Sequence, residues 1–137
     1  MPAIDKVFKI YLSHSDINSL SYLNVATEIS AYLIDWEKMD GLPKCALFVP
    51  AANDYIFSIA LHKSYLSKEQ IVSIYGEVIR DSNLLIGFGD WTTNNNIEND
   101  INFARRNDVP VYIMPEISDI SIQALKLAIT FIVNRGE

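Results

Sequence analysis

Between Gly89 and Ala104 the chain reads GDWTTNNNIENDINFA, which sets Asp90, Glu98 and Asp100 among Asn94, Asn95, Asn96 and Asn99, with Trp91 at the front. Carboxylates can attack carbon as nucleophiles, or carry protons as general acids and bases once burial has tuned them. A second polar cluster, Ser13–His14–Ser15–Asp16, directly follows an apolar run. Its side chains, together with the backbone amides that open the next helix, would suit an anion. Equally, Ser15 or Asp16 would serve as the cap of that helix. His14 is a candidate substrate contact, whereas His62 reads as a surface or packing residue.

The two histidines lie far apart and Cys45 is the single cysteine, so neither a metal cluster nor an intrachain disulfide is expected. A bound cofactor is not expected either. GFGD at 87–90 has two glycines but lacks the third glycine of a dinucleotide fingerprint and the lysine of a phosphate-binding loop.

Helical geometry ranks the carboxylates. At about 100° per residue, Ile97, Ile101 and Ala104 share one face, which must pack on a sheet. Asp100 falls roughly 60° to one side of that stripe and Glu98 about 95° to the other. Asp100 therefore stands at the border of core and cleft, where desolvation tunes a carboxylate. Glu98 points further toward solvent and sits three residues after Asn95, the spacing of a capping-box partner. The catalytic candidates are Asp100, Tyr11 and Glu98. The substrate-binding candidates are Ser13, His14, Ser15, Asp90, Trp91, Asn94 and Asn96. Trp91 and Tyr11 could also stack on a base.

The elements that must hold these residues alternate along the chain. Val7–Leu12, Cys45–Val49, Leu84–Gly87 and Val109–Met114 read as strands. Leu20, Leu23, Ala26, Ile29, Leu33 and Trp36 mark a long amphipathic helix closed by Asp40–Gly41 and Pro43. The segment 51–65 reads as a loop with one short helix, and SKEQ at 67–70 as a capping box before a helix through Ile79. Ile122, Leu125, Ile129 and Ile132 mark the last helix, with Gly136 beyond its end. This alternation predicts a single α/β domain over 1–137, a flavodoxin-like or Rossmann-like three-layer sandwich with a four- or five-stranded parallel sheet. Ligands of such sheets bind beyond the carboxyl ends of the strands, where both polar clusters fall.

Composition narrows the partners. Half of the 137 residues are apolar, which excludes a disordered chain. No stretch approaches the roughly 18 apolar residues of a membrane span. The net charge of −6, with no cationic run beyond Arg105–Arg106, argues against nucleic acid. The charged residues of MPAIDKVFKI do not suit a signal peptide, so a cytoplasmic protein with a small-molecule partner is expected.

Taken in order, KIYLS, FVPA, NLLIGFGDW, NNNIENDINFA and DVPVYIMP resemble the nucleoside 2-deoxyribosyltransferase superfamily, above all its small, often phage-encoded branches. The resemblance covers nearly the whole chain. On the family pattern G-W-x-x-S-x-G-x-x-x-E, Trp91 takes the Trp, Asn94 the Ser, Asn96 the Gly and Asp100 the Glu. Ala104 takes the small residue that follows, and Tyr11 the strand-one Tyr that positions the nucleophile.

The resemblance implies a nucleoside or nucleotide N-glycosidase or deoxyribosyltransferase with Asp100 as nucleophile. Asn94 or Asn96 would contact sugar, and Ser13, His14 and Ser15 would receive a hydroxyl or a 5′-phosphate. It also implies a homo-oligomer, since relatives often complete their sites with a neighbouring subunit; the aromatic AANDYIF segment at 51–57 is the candidate contact. Three departures stand out. Asp100 is shorter than Glu by one carbon–carbon bond of about 1.5 Å. Asn96 replaces a glycine. Asn94 stands where the transferases have an acid, leaving Asp90 as the nearest substitute. They move weight toward a hydrolase, or toward a nucleotide-binding or sequestering module without turnover. VFKIYLSHSD also resembles the first strand of Toll/interleukin-receptor-like domains, which makes NAD cleavage a third reading.

Overall fold

A computed structural model describes residues 7–15 and 21–135, apart from the side chain of Trp91. Asp16, Leu20 and Gly136, named above as cap, stripe and stop residues, lie outside the described residues. Four strands, β1 (Phe8–Ser13), β2 (Cys45–Phe48), β3 (Leu84–Phe88) and β4 (Val111–Met114), form one sheet. Every pairing is parallel and the order is β2-β1-β3-β4. Five helices accompany it: α1 (Tyr22–Asp40), α2 (Asp54–His62), α3 (Lys68–Arg80), α4 (Asn95–Arg106) and α5 (Asp119–Arg135). The fold is the flavodoxin/Rossmann-like three-layer α/β sandwich, with four strands.

Strand alternation sorts the two cores. Phe8, Ile10, Leu12, Leu84 and Ile86 point to one face and meet Ala26, Ile29 and Leu33 of α1 and Ile122, Leu125 and Ile129 of α5. Tyr11 and Leu85 point to the other face and meet Ile79 of α3 and Ile97, Ile101 and Ala104 of α4. The stripe expected on α4 is therefore the buried one. Because β1 and β3 are covered on both sides, β3 is apolar throughout and β1 is buried at every position except Lys9.

Boundaries differ from the sequence reading where the ladder decides them. β1 runs one residue further, to Ser13, because Ser13 pairs with Gly87. β4 begins at Val111, since Pro110 has no N–H for the ladder and offers only its carbonyl, to Leu85 N at 2.9 Å. The capping box at Ser67 and Gln70 forms in both directions. The segment 51–65 contains a short 3-10 turn, Pro50–Ala52, and then the nine-residue α2. None of the α2 side chains is buried, and Tyr55 and Ile56 are 76% and 63% exposed.

Two connections leave the sheet in opposite directions, from β1 outward to β2 and from β2 back across to β3, so a crevice opens beyond the carboxyl ends of β1 and β3. The closeness of α4 to this crevice depends on Gly87. A Cβ there would lie 3.2 Å from the Cδ1 atoms of Ile101 and Ile113 and 3.5 Å from Cγ2 of Ile97. Gly87→Ala is expected to push α4 away from β3 and to destabilise the fold by about 1–3 kcal/mol, the usual range for overpacking. Chemical denaturation of the two proteins checks this, and equal midpoints would contradict it.

Candidate functional site

The residues after β3 turn sharply. Gly89 adopts φ +94°, a left-handed conformation that favours glycine, and its N–H donates to the Met114 carbonyl at 2.9 Å. Asp90 follows and accepts from Thr92 N at 3.1 Å and from Thr92 Oγ1 at 2.5 Å. These bonds hold the exposed Asp90 carboxyl below its ordinary range and commit it to closing the turn. Trp91 opens the 3-10 turn Trp91–Thr93. Its proposed contact with a base rests on a side chain outside the described set.

The cap of α4 is Asn94, one residue before the position expected from the sequence. Asn94 Oδ1 accepts from Ile97 N at 3.1 Å, and its Nδ2 donates to Ser15 Oγ at 2.9 Å. The capping box between Asn95 and Glu98 therefore does not form; both residues are exposed on the first turn. The correction has a local cause. Asn94 alone of the three consecutive asparagines has the extended backbone a cap requires, with φ −128° and ψ 111°, and it faces a hydroxyl across the crevice. Asn96 Nδ2 donates to the His14 carbonyl at 2.9 Å, a second tie between the start of α4 and the end of β1.

His14 is 3% exposed and stacks on Tyr22 with ring centroids 4.6 Å apart. Its Nε2 accepts from Ala51 N at 3.1 Å while Nδ1 lies 2.9 Å from the Ser15 carbonyl. A carbonyl can only accept, so Nδ1 carries the proton and the ring is the neutral Nδ1–H tautomer. The imidazole thus joins the ends of β1 and β2, and it also borders the cavity described next.

That cavity, of about 470 Å³, lies between α3 and α4 at the crevice and is lined by Tyr11, Asp54, Tyr75, Asn96, Asp100 and Arg106, among others. Ser13, fully buried at the end of β1, donates from Oγ to Asp100 Oδ2 at 2.7 Å. Burial pushes the Asp100 carboxyl up to about 6, against the opposing pull of the Ser13 bond. Tyr11 is 2% exposed and stacks on Phe48 at 5.3 Å. Burial, with the neighbouring charge of Asp100 second, raises its hydroxyl far above the ordinary phenol value. Tyr11 is therefore a neutral phenol that can donate and cannot act as a base.

Asp54 and Tyr75 were not singled out in the sequence, and both line this cavity. The Tyr75 hydroxyl donates to Asp54 Oδ1 at 3.2 Å, and Phe57 packs edge-on against the ring at 5.2 Å. Burial and the Asp54 charge raise the Tyr75 hydroxyl, so it too stays protonated. The local signal was slight: Asp54 stands at the first position of α2 in a segment read as loop. Only the packing of α2 on Tyr75 brings it to Asp100.

The structure thus gathers Tyr11, Ser13, His14, Asn96 and Asp100, links Asn94 and Ser15 beside them, and leaves Asp90 and Glu98 outside the cavity lining. A larger concavity of about 820 Å³ lies against β2, the start of β1 and the end of α3. Its charged residues include the ion-paired Lys9 and Asp81, 2.8 Å apart, and Arg80 with Glu77, so it offers no comparable reactive group. Burial pushes the Cys45 thiol up to about 11, which removes it as a nucleophile. Among the described residues no group of three or more His, Cys, Asp or Glu is arranged to hold a metal, and no helix is long and apolar enough to cross a membrane. Comparison with protein-family models, with curated proteins and with solved structures finds no match for this chain.

The Asp100 geometry has a consequence for stability. The folded chain holds the Asp100 proton more tightly than the unfolded chain, whose carboxyl titrates near 3.8. The resulting stabilisation is complete below about pH 4 and is lost as pH rises through about 6. Asp100→Asn removes the buried charge, so it is expected to stabilise the protein relative to wild type above pH 6 and to make little difference near pH 4. Urea midpoints of both proteins across this range measure the difference; one that does not vary with pH would contradict it.

Proposed function

We propose that the protein is a nucleoside or nucleotide N-glycosidase, or a deoxyribosyltransferase-like enzyme, that works in the cytoplasm through Asp100. The observation that carries this reading is a single one. A desolvated carboxylate faces a cavity at the switch point of the sheet, with one oxygen held by Ser13 and the other left for chemistry. In the proposed reaction Asp100 Oδ1 bonds to the anomeric carbon as the carbon–nitrogen bond breaks, and that bond's electron pair leaves with the base. The departing nitrogen takes a proton from an acid at the cavity wall or from water. Water, or a second base, then attacks the glycosyl ester at the same carbon, gives up its proton to the group or the solvent that protonated the first base, and releases Asp100 as a carboxylate.

Tyr11 and Tyr75 supply neutral hydroxyls near the developing charges, and Asp54 holds Tyr75 in place. Asp54 takes over from Asp90 as the second carboxylate of this reading, because Asp90 is engaged in its own turn. Asn96, at the cavity rim, remains the candidate sugar contact.

A second reading is a nucleotide-binding module without turnover. It is favoured by the short reach of Asp100 and by the ties of Asn94 to Ser15 and of Asn96 to His14, which join the rim to the rim. Binding of nucleotides without any product would select it. Release of nicotinamide from NAD would instead select the Toll/interleukin-receptor-like alternative. The homo-oligomer implied by the family resemblance would use the exposed apolar side of α2 next to the cavity. Sedimentation equilibrium tests it, and a monomer at the highest soluble concentration removes it.

Incubation with a panel of deoxynucleosides and their monophosphates is expected to release free base. Asp100→Ala should lower the rate by about a thousandfold or more, as loss of a nucleophile does. Because the ionised form attacks, the rate should rise with pH through about 6 and then level off. Ser13→Ala removes the bond that favours ionisation, so the rise should move to higher pH by roughly one unit. No base release from any substrate, or release unchanged in Asp100→Ala, would overturn the proposal.

A further inference from the structure

We propose that Arg106 is the anion-recognition residue of this cavity, so that the ligand carries a phosphate along the α3–α4 groove with its sugar at Asp100. The inference rests on the nucleotide reading above and extends it to the substrate's charge. Among the described residues, Arg106 is the one cationic side chain lining the cavity, which otherwise presents the carboxylates of Asp54 and Asp100. At about 100° per residue, Asn96, Asn99, Phe103 and Arg106 follow one another along the flank of α4 that faces α3. Arg106 stands six residues from Asp100, about 9 Å along the helix axis. The two residues are also turned about 120° apart around the helix, and a sugar phosphate together with the reach of the arginine side chain bridges that separation.

The guanidinium has a defined seat. Its carbon lies 6.0 Å from the centre of the Phe103 ring, and that ring is itself fixed against Gly76, where a Cβ would come within 3.2 Å of it. Arg80 lies over the same ring at 5.8 Å, but it is paired with Glu77 and donates to Asn107 Oδ1 at 3.4 Å. Lys9 and Lys126 are likewise paired, with Asp81 and Asp40. Arg106 makes no ion pair among the described residues. A cation in the last turn of α4 also complements the helix dipole, which accounts for its place on the helix but not for its seat on the cavity wall.

The side chains first expected to receive a phosphate are committed elsewhere: Ser13 to Asp100, His14 to Ala51 and Ser15 to Asn94. An arginine also offers what a phosphate requires, a fixed fork of N–H donors with a permanent charge.

The test is a titration of the full chain with three probes: a deoxynucleoside, its 5′-monophosphate and inorganic phosphate. Wild type is expected to bind the monophosphate at least about tenfold more tightly than the nucleoside, with the advantage shrinking as salt is added. Arg106→Gln should erase the advantage and leave nucleoside binding unchanged, and Arg106→Lys should restore part of it. Circular dichroism of each variant verifies folding at this exposed position. Equal binding of nucleoside and monophosphate by wild type would overturn the inference, as would an advantage that survives Arg106→Gln, or no binding of any probe. Phosphate binding that depends on Arg106, without release of base from any substrate, would sustain this inference and remove the glycosidase reading alone.

Discussion

The hydrogen bond from Ser13 Oγ to Asp100 Oδ2 joins the end of the first strand to the middle of a helix 87 residues away, and the site is organised around it. Its short length of 2.7 Å requires α4 to lie close on the sheet, which Gly87 permits by presenting no side chain to Ile97 and Ile101. It also requires Ser13 to face the α4 side of β1, which follows from alternation with Tyr11. One bond therefore reports on helix height, strand register and helix rotation together. A slip of one residue in β1 would turn Ser13 to the α1 side and leave Asp100 desolvated without its partner.

Around that bond the protein balances opposed influences on one carboxyl. Burial resists its charge while the Ser13 hydroxyl supports it, and the outcome near 6 leaves Asp100 largely ionised at neutral pH yet poorly solvated. That state suits attack on an electron-poor carbon, since the charge is present and little water need be removed from it. The two phenols, Tyr11 buried and Tyr75 partly so, contribute differently. Tyr11 and Tyr75 are held neutral by burial and by the carboxylates beside them, so they supply polarity to the cavity without adding charge. The ties from Asn94 to Ser15 and from Asn96 to His14 then fix the start of α4 against the end of β1.

Much of the scaffold was legible in the order of residues. The stripes at 26–36 and 97–104 reflect the helical period of 3.6, which depends only on local backbone geometry, and the short apolar runs at 84–87 and 109–114 mark strands by their length and residue types. The placement of Asp100 beside its stripe followed from the same arithmetic. The helix start was harder, because three consecutive asparagines offer equivalent caps. Asn94 acts as the cap, and it also bonds to Ser15, across the crevice. Asp54 and Tyr75 escaped notice for a related reason: nothing near either in the chain marks it, and their relation to Asp100 arises from helix packing.

By itself, then, the sequence determined an alternating α/β chain, the faces its helices bury, the polar crossings at the ends of β1 and β3, and Asp100 as the carboxyl beside the core. These are local properties, set by periodicity and by the turn chemistry of neighbouring residues. The tertiary structure alone decided the sheet order β2-β1-β3-β4, the bond that sets Ser13 on Asp100, the neutral tautomer of His14 and the gathering of Asp54, Tyr75 and Arg106 around one cavity. Each of these depends on residues distant in the chain meeting at a few ångströms, and such meetings are fixed by the packing of whole elements rather than by the residues on either side.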